Sequence, residues 1–505
     1  MTYKDSYFWQ ICLYVYGFIR ESLIVTKLAA FGAWLKRRFG ESVLSAALRH
    51  EGVISCDFGG SLFVRAISAA VNFPAWLCVR LYALKPELWD GSAVIRALRY
   101  FGTHTEALFA LLFVLIFSVP QENWDNWYSS YAAAAILLIF VVGSVKKQPN
   151  ILDVRRAGAW AVAFAALTAV AMLTSVSVGG SLRFFVFHFT DMVCVIVMIS
   201  GIRTMRQLKY VAGFALLGTA IASVAGFAQR IEGIDVNASF TDLAANKYMP
   251  GRVFSFFDNP NTFAMVLVMF IPLALGLFCY GKGVRMKLYS LAVFVLATGA
   301  LLMTYSRGAW IGYAGSLGLF ILIVRPMLAP LPVLGFILAF PFLPRAIADR
   351  VLTIFNSGDS SISSRTEIYS AGLRVFAARP IQGAGLGSDA VQQYVRENGL
   401  FLSNAKFTHS HNLYIQIAAE TGVFGILAFL GAMLQTFKRA FAELGADKER
   451  KAIIAGGVSG LFGVLVCAVA DYPWFYPRVM LMFWLLFGII VAATGIPPNG
   501  GEVND

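Results

Sequence analysis

From residue 105 onward the chain alternates long apolar runs with short polar stretches, and the runs have the length that crosses a bilayer. A spanning helix needs roughly 20 mostly apolar residues. Phe263 to Phe278 with its flanks, Leu288 to Met303 and Leu413 to Leu434 meet that length. Twelve candidate spans follow: 105–120, 128–145, 157–177, 184–202, 208–229, 261–280, 288–305, 308–324, 331–344, 413–435, 452–470 and 478–495. The ninth is short and bounded by prolines. Residues 1–103 differ, mixing apolar and basic residues such as Lys36-Arg37-Arg38 without a clean span. They predict amphipathic helices on the cytoplasmic membrane surface. A span within Leu62 to Leu84 is the alternative, disfavoured by Arg65 and Arg80. Phe8 to Leu23 is interrupted by Arg20 and Glu21, and no small-residue cleavage site follows, so it is not read as a signal peptide.

Charge orients the runs. One set of loops holds Lys146, Lys147, Arg155 and Arg156; then Arg203, Arg206 and Lys209; then Lys282, Arg285 and Lys287; then Lys438, Arg439, Lys448, Arg450 and Lys451. The opposite set opens with Gln121-Glu122-Asn123-Trp124-Asp125, which has no basic residue. Because basic residues favour the cytoplasmic side, the first set and both termini, including the 496–505 tail, are expected in the cytoplasm. The loop 230–260, the Tyr305-Ser306-Arg307 turn, the long segment 345–412 and the Asp471 to Arg478 turn then face outward, and chemistry is sought there. Within the long segment, Ser364 and Glu367 form a capping-box pattern. Ile368, Ala371, Val375 and Phe376 follow at helical spacing until Pro380. This predicts an amphipathic helix along the outer surface or over a cavity, a lid rather than a carrier of catalytic residues.

Composition agrees with the pattern: 58% of the 505 residues are hydrophobic and 14% charged, where a soluble chain carries about a quarter charged. A net charge of +13 is accounted for by cytoplasmic loops, and nucleic-acid binding is not expected. Six cysteines, Cys12, Cys56, Cys78, Cys194, Cys279 and Cys467, show no paired spacing. Cys194, Cys279 and Cys467 sit in apolar runs and read as small core residues; neither a zinc site nor a disulfide framework is indicated.

Candidate chemistry lies at the outer ends of spans. Arg252 precedes the sixth span in a stretch ending Asp258-Asn259-Pro260-Asn261, and Arg307 separates the seventh and eighth. Arginine is disfavoured on that side unless it faces an internal site or a partner. A guanidinium grips phosphate oxygens through two parallel hydrogen bonds, so a pair suits a pyrophosphate. Snorkelling to headgroups is the competing reading for each. Asn259-Pro260-Asn261 is sufficiently explained as a helix start, with a direct substrate role for Asn259 or Asn261 as the lesser alternative. His409-Ser410-His411-Asn412 stands where the long segment enters the tenth span, and a histidine there can serve as general base. No neighbouring carboxylates or cysteines complete a metal site with the two rings. Gly383-Ala384-Gly385-Leu386-Gly387 lacks the βαβ context of a phosphate loop and reads as a flexible turn. Asp471, Tyr472 and Arg478 either complete the wall of a cavity or form a structural ion pair.

The order of these motifs resembles the O-antigen ligase and polymerase superfamily of bacterial membrane glycosyltransferases, over roughly residues 180–495. Its most specific part is His411-Asn412, nine residues Leu413 to Thr421, Gly422, Val423-Phe424 and Gly425. Supporting pieces are Arg252 with Asn259-Pro260-Asn261, Ser306-Arg307-Gly308, and Arg365-Thr366-Glu367 leading to Pro380 and the Gly383–Gly387 turn. The resemblance implies an all-α, GT-C-like, polytopic enzyme of the bacterial inner membrane, metal-independent and without cofactor, facing the periplasm or cell exterior. Its implied donor is an undecaprenyl-diphosphate-linked glycan, and its acceptor a glycan, lipid or cell-wall group. Arg252 and Arg307 would bind the diphosphate and His411 would assist the acceptor hydroxyl; Asn259, Asn261, Arg365, Arg478 and His409 are expected to line the substrate. Ligation and polymerisation share these motifs. Protein O-glycosylation from the same donor is a second enzymatic reading, and a transporter or flippase of lipid-linked glycans a third. A transporter favours internal repeats and polar residues near the midplane; no repeat is evident and the polar signals sit at span ends.

Overall fold

A computed structural model describes residues 22–42, 46, 52, 61–143, 145, 152–234, 250–352, 360–402, 407–445 and 447–497. The N-terminal stretch up to Glu21, Cys12, Cys56, Lys146, Lys147, residues 235–249 of the 230–260 loop and residues 498–505 lie outside these. Every regular element among the described residues is helical. Nine helices are long and apolar enough to cross a membrane, or ten if one bent pair is counted as a span. The protein is therefore a multi-pass membrane protein, but the expected twelve spans are not reached.

The shortfall has a geometric cause. Eight of the twelve are single helices of spanning length, from Val178–Gly201 to Pro477–Gly495. Thr105–Ser118, Trp127–Gly143 and Ala159–Leu173 have 14, 17 and 15 residues. At ~1.5 Å per residue they fall short of the roughly 30 Å hydrocarbon layer. Thr105–Ser118 reaches spanning length only together with Ala93–Thr103, from which it is bent by 84°. The proline-bounded ninth segment, Pro326–Phe342, is likewise a shorter apolar stretch. Leu62–Leu84, the alternative within the N-terminal region, is one of the nine. Cys279, expected in the core, is exposed near the end of Pro260–Tyr280, whereas Cys194 and Cys467 are buried; an apolar run in a bilayer has a lipid face as well as a protein face.

The chain divides into two units, residues 1–50 with 317–344, and residues 51–316 with 345–505. In the smaller, the helix Leu23–Glu41 meets the turn Pro326–Leu328 so closely that a Cβ on Gly32 would lie 2.7 Å from Met327 Cα. In the larger, Lys448–Cys467 and Pro260–Tyr280 form the most extensive helix pair. They run antiparallel, because Gly276 meets Ala452 while Gly460 meets Met269. A Cβ on Gly460 would come within 1.9 Å of the Met269 carbonyl oxygen, and one on Gly456 within 2.5 Å of Leu273 Cα. This small-xxx-small pattern lets backbones touch where lipid offers no hydrophobic drive for helices to associate. Arg307–Val324 docks on the same helix, Gly312 lying against Cys467 and Gly463.

The long segment supplies the helices Ser360–Ala378 and Ser388–Glu397. Ala371 and Val375 bury against Ala384, Val391, Val395 and Ala419, as the helical spacing predicts. The first helix begins at Ser360, so Ser364 lies inside it and is not its cap. Glu367 Oε1 instead accepts from Arg374 (3.0 Å) and from the Leu402 N–H (3.2 Å), pinning the two ends of the segment together. The Gly383–Gly387 turn, expected to be flexible, is buried against the Leu413–Glu443 helix. The N–H groups of Ala384 and Gly385 donate to the carbonyls of Ala419 and Glu420, at 2.8 and 3.2 Å. Those carbonyls are released because Gly422, at φ 70°, interrupts the helix. A Cβ there would sit 2.2 Å from the Ile381 carbonyl oxygen.

Contacts also sort the loops by charge. Glu449 binds Lys209 (2.9 Å) and Lys282 (3.3 Å), and Arg439 donates to the Arg156 carbonyl (3.1 Å). One end of the larger unit thus gathers the basic loops, and the other carries the candidate site residues.

Two outcomes are expected. Cysteines introduced at the exposed positions Asn398 and Lys448 should label from opposite sides of sealed membranes, position 398 from the outer side; labelling of 398 from the cytoplasmic side alone would invert the orientation. Gly422→Ala should destabilise the protein by about 1 kcal/mol or more, since a side chain at positive φ is strained even without the clash. An unchanged unfolding midpoint in detergent would contradict this.

Candidate active site

The arginine side of the site is built on one turn. The helix Val284–Met303 ends with Thr304 and Tyr305, and Arg307 opens the next helix. Arg252 Nε donates to the Thr304 carbonyl (2.7 Å), and Arg350 Nε donates to the next carbonyl, that of Tyr305 (3.1 Å). Two buried guanidiniums are therefore anchored on adjacent peptide groups, two residues before a third arginine. The other arm of Arg252 donates to Asn261 Oδ1 (2.5 Å), while Asn259 caps the Pro260–Tyr280 helix by accepting the Asn261 N–H (2.8 Å). Asn259-Pro260-Asn261 is thus a helix start that also fixes an arginine. Arg230 braces the same strip, donating to the Gly251 carbonyl (3.0 Å) and the Tyr305 hydroxyl (3.4 Å).

Burial, then the charges of Arg350 and Arg307, push Arg252 down to about 9, with Asp471 opposing. It stays protonated near neutrality, with two like charges acting on it. Desolvated like charges are costly, and an anion placed among them removes the repulsion and supplies oxygen acceptors.

The histidine side hangs on the Leu413–Glu443 helix. Asn412 caps it, accepting from the N–H groups of Tyr414 and Ile415 (2.9 and 3.0 Å) and donating through Nδ2 to the Val469 carbonyl (2.8 Å). Leu413 N–H donates to the Ala468 carbonyl (2.9 Å). These bonds tie the His409–Asn412 segment to the exit of Lys448–Cys467, three residues before Asp471. Ser410 N–H donates to Gln416 Oε1 (2.8 Å), Gln416 Nε2 to Glu420 Oε1 (2.8 Å), and the Tyr472 hydroxyl to that same oxygen (3.2 Å).

The two histidines are inequivalent. His409 is buried, with its ring 4.6 Å from Phe475, and accepts the His411 N–H through Nδ1 (3.2 Å). Burial, then the charge of His411, push it down to about 3 against the pull of Asp471, so it is a neutral, fixed ring. The His411 side chain is 33% exposed, and its Nδ1 stands 3.6 Å from Asp471 Oδ1. At that length the pair is an electrostatic contact rather than a hydrogen bond. Burial raises the Asp471 carboxyl, but the pair with His411 and the charge of Arg365 outweigh it and hold it below its ordinary value.

Three residues other than glycine adopt positive φ among the described residues: Ser255 (54°), Tyr305 (51°) and His411 (45°). One follows Arg252 by three positions, one precedes Arg307 by two, and the third is the candidate base. Such strain costs about 1–3 kcal/mol each and clusters at functional sites. Here it is held by bonds: Gln229 accepts the Ser255 N–H (2.7 Å) and donates to its carbonyl (2.9 Å).

The sequence candidates divide. Arg252, Arg307, His409 and His411 converge, and Arg365 acts on the same Asp471. Asn259 and Asn261 hold backbone and Arg252. Arg478 donates to the carbonyls of Ile116 (2.7 Å) and Phe256 (3.3 Å), and lies 4.7 and 4.6 Å from the rings of Trp124 and Phe257. Its Nη2 has no hydrogen-bond partner among the described residues, and no ion pair with Asp471 forms. Arg350 and the role of Asp471 were missed from sequence. Arg350 carried the signal that singled out Arg252, an arginine on the less basic face, but it sits in a short basic-and-acidic helix, Arg345–Leu352, that reads as surface.

Residues 292–430 match the model of the O-Antigen ligase family. They contain Arg307, Arg350, Arg365, His409 and His411, whereas Arg252, Asp471 and Arg478 lie outside. The chain is also similar to the exopolysaccharide production protein ExoQ of Rhizobium meliloti (strain 1021), 22% identical over 317 residues, which are 60% of this chain and 70% of that protein. With its glycine-kinked His411–Gly425 motif, the stretch 292–430 of this multi-pass membrane protein is an O-antigen ligase family domain.

Proposed function

We propose that the protein transfers a glycan from an undecaprenyl-diphosphate-linked donor to an acceptor hydroxyl on the outer face of the bacterial inner membrane. The observation that carries this reading is the Thr304–Arg307 turn, which collects Arg252, Arg307 and Arg350 within electrostatic reach of the Asp471–His411 pair. The diphosphate would rest against the guanidiniums, with its lipid in the bilayer. His411 would take the acceptor proton as the acceptor oxygen bonds to the anomeric carbon and the bond to the diphosphate breaks. The departing diphosphate gains negative charge, which fixed cations stabilise more than they stabilise the bound donor. Asp471 would orient the imidazole and offset its charge once protonated. An exopolysaccharide product accords with the name of ExoQ; ligation and polymerisation differ only in the acceptor.

One observation favours movement of a lipid-linked glycan without chemistry. His188 and Asp191 are buried in the middle of the span Val178–Gly201, and intramembrane ionisable residues commonly mark transport paths. Formation of a glycosidic bond by the purified protein separates the readings.

A strain lacking the protein should accumulate lipid-linked glycan by mass spectrometry, single repeats for a polymerase and long chains for a ligase. Arg252→Lys or Arg307→Lys should fail to restore the product despite normal membrane insertion, because lysine keeps the charge and loses the bidentate fork. Full restoration by both lysine variants would remove the arginines from donor binding.

For the base, His411→Ala should lower turnover by ~10²–10⁴-fold, and His409→Ala by much less. Asp471→Asn should reduce turnover while leaving donor KM close to wild type. A stably folded His411→Ala protein with near-full activity would refute the assignment.

A further inference from the structure

No hydrogen bond joins His411 Nδ1 to Asp471, so their separation of 3.6 Å is set by what holds each residue. Those supports meet on one buried carboxylate oxygen. Glu420 lies about two turns into Leu413–Glu443 and is 2% exposed. Its Oε1 accepts from Gln416 Nε2 (2.8 Å) and from the Tyr472 hydroxyl (3.2 Å). On one side the Tyr472 N–H donates to Asp471 Oδ1 (2.8 Å), the oxygen that faces His411. On the other, Gln416 Oε1 accepts the Ser410 N–H (2.8 Å), one residue before His411. Glu420, Tyr472, Asp471, His411, Ser410 and Gln416 therefore form a closed ring of contacts.

The chemistry of the ring gives it a direction. An ionised carboxylate can only accept hydrogen bonds, so Gln416 turns its NH2 group to Glu420 and its carbonyl to Ser410. Without the carboxylate the amide is free to turn over, and its NH2 would then meet the Ser410 N–H. The hub is itself fixed, because the Glu420 carbonyl accepts the Gly385 N–H (3.2 Å) where Gly422 interrupts the helix. Elsewhere the two segments are tied by Asn412 Nδ2 to the Val469 carbonyl (2.8 Å) and by Leu413 N–H to the Ala468 carbonyl (2.9 Å). Those bonds join the segments at one edge. A second attachment, through Glu420, is what fixes the angle between them.

We infer that Glu420 is a positioning residue that sets His411 against Asp471, acting through Gln416 and Tyr472. The inference rests on the proposed role of His411 as base and deepens it. Initial rates of the purified full-length protein test it, with lipid-linked glycan and envelope fraction from the strain lacking the protein as donor and acceptor. Glu420→Leu should lower kcat tenfold or more with donor KM close to wild type, within the ~10²–10⁴-fold that the base supplies. Glu420→Gln, which keeps an acceptor oxygen for both donors, should recover most of that loss. In a His411→Ala background Glu420→Leu should cost no further rate, because residues that act as a unit are not additive. Tyr472→Phe removes one hydroxyl and serves where Glu420→Leu does not insert. It should lower kcat about fivefold, the worth of one net hydrogen bond, and again only where His411 is present. An unchanged kcat, a loss confined to donor KM, or an equal further loss in the His411→Ala background would overturn this inference alone. Near-full activity of His411→Ala by itself would overturn the base assignment, and this inference with it.

Discussion

The close backbone contact between Lys448–Cys467 and Pro260–Tyr280 is the constraint on which the candidate site depends. Gly456 and Gly460 allow the two helices to touch at the Leu273 backbone and the Met269 carbonyl, and Gly312 and Gly463 bring Arg307–Val324 against the same surface. One helix is thereby clasped by two others whose outer ends carry Arg252, Arg307 and their shared turn. The exit of the clasped helix leads directly to Asp471 and receives the capped start of Leu413–Glu443, where His411 stands. Residues from four distant stretches of chain meet because three helices lack side chains where they cross. A larger residue at Gly460 would push the Asn259 end away from the Asp471 end, and the site would open although no site residue had changed.

Placement alone would leave a cluster of cations repelling one another, and the surroundings show how that is tolerated. Arg252 and Arg350 each donate to a peptide carbonyl, Arg252 also to Asn261, and Arg230 spans Gly251 and Tyr305. Each of these hydrogen bonds ends on a peptide, amide or hydroxyl dipole. A dipole leaves the positive potential of the group largely intact, whereas an ion pair would cancel it. Asp471 is placed on the histidine side, its carboxylate beside the His411 ring. The same economy explains the strained backbone at Ser255, Tyr305 and His411. Bonds to Gln229, Arg230 and His409 hold the turns in a conformation the chain would not adopt alone.

Much of this was legible in the sequence, for reasons that differ by residue. Apolar run length identified the class, and loop charge sorted the ends correctly, because both are sums over many residues. Counting spans failed where runs were continuous in composition but bent or cut short in space, as at Thr105–Ser118 with its 84° break. His411 and Gly422 were legible as a spaced motif, since a helix start and a helix interruption both depend on local residue type. The contacts that hold Arg478 were not legible, because Trp124 and Phe257 are remote from it in sequence. Glu367 looked like a cap and instead pins Leu402, a contact across 35 residues. Arg350 escaped because its helix reads as surface until the Tyr305 carbonyl is seen against it.

The division of the site across the family match is informative in itself. Residues 292–430 supply His411 and two of the three converging arginines, while Arg252 and Asp471 come from either side. Arg252 reaches the domain by bonding to Thr304 within it, and Asp471 by following a helix that the domain clasps through Gly312. The flanking spans therefore do more than anchor the matched stretch. They complete both halves of the site, one cation for the arginine cluster and one anion for the histidine. Without them His411 would lack its counter-charge, and the Thr304–Arg307 turn would present two guanidiniums instead of three.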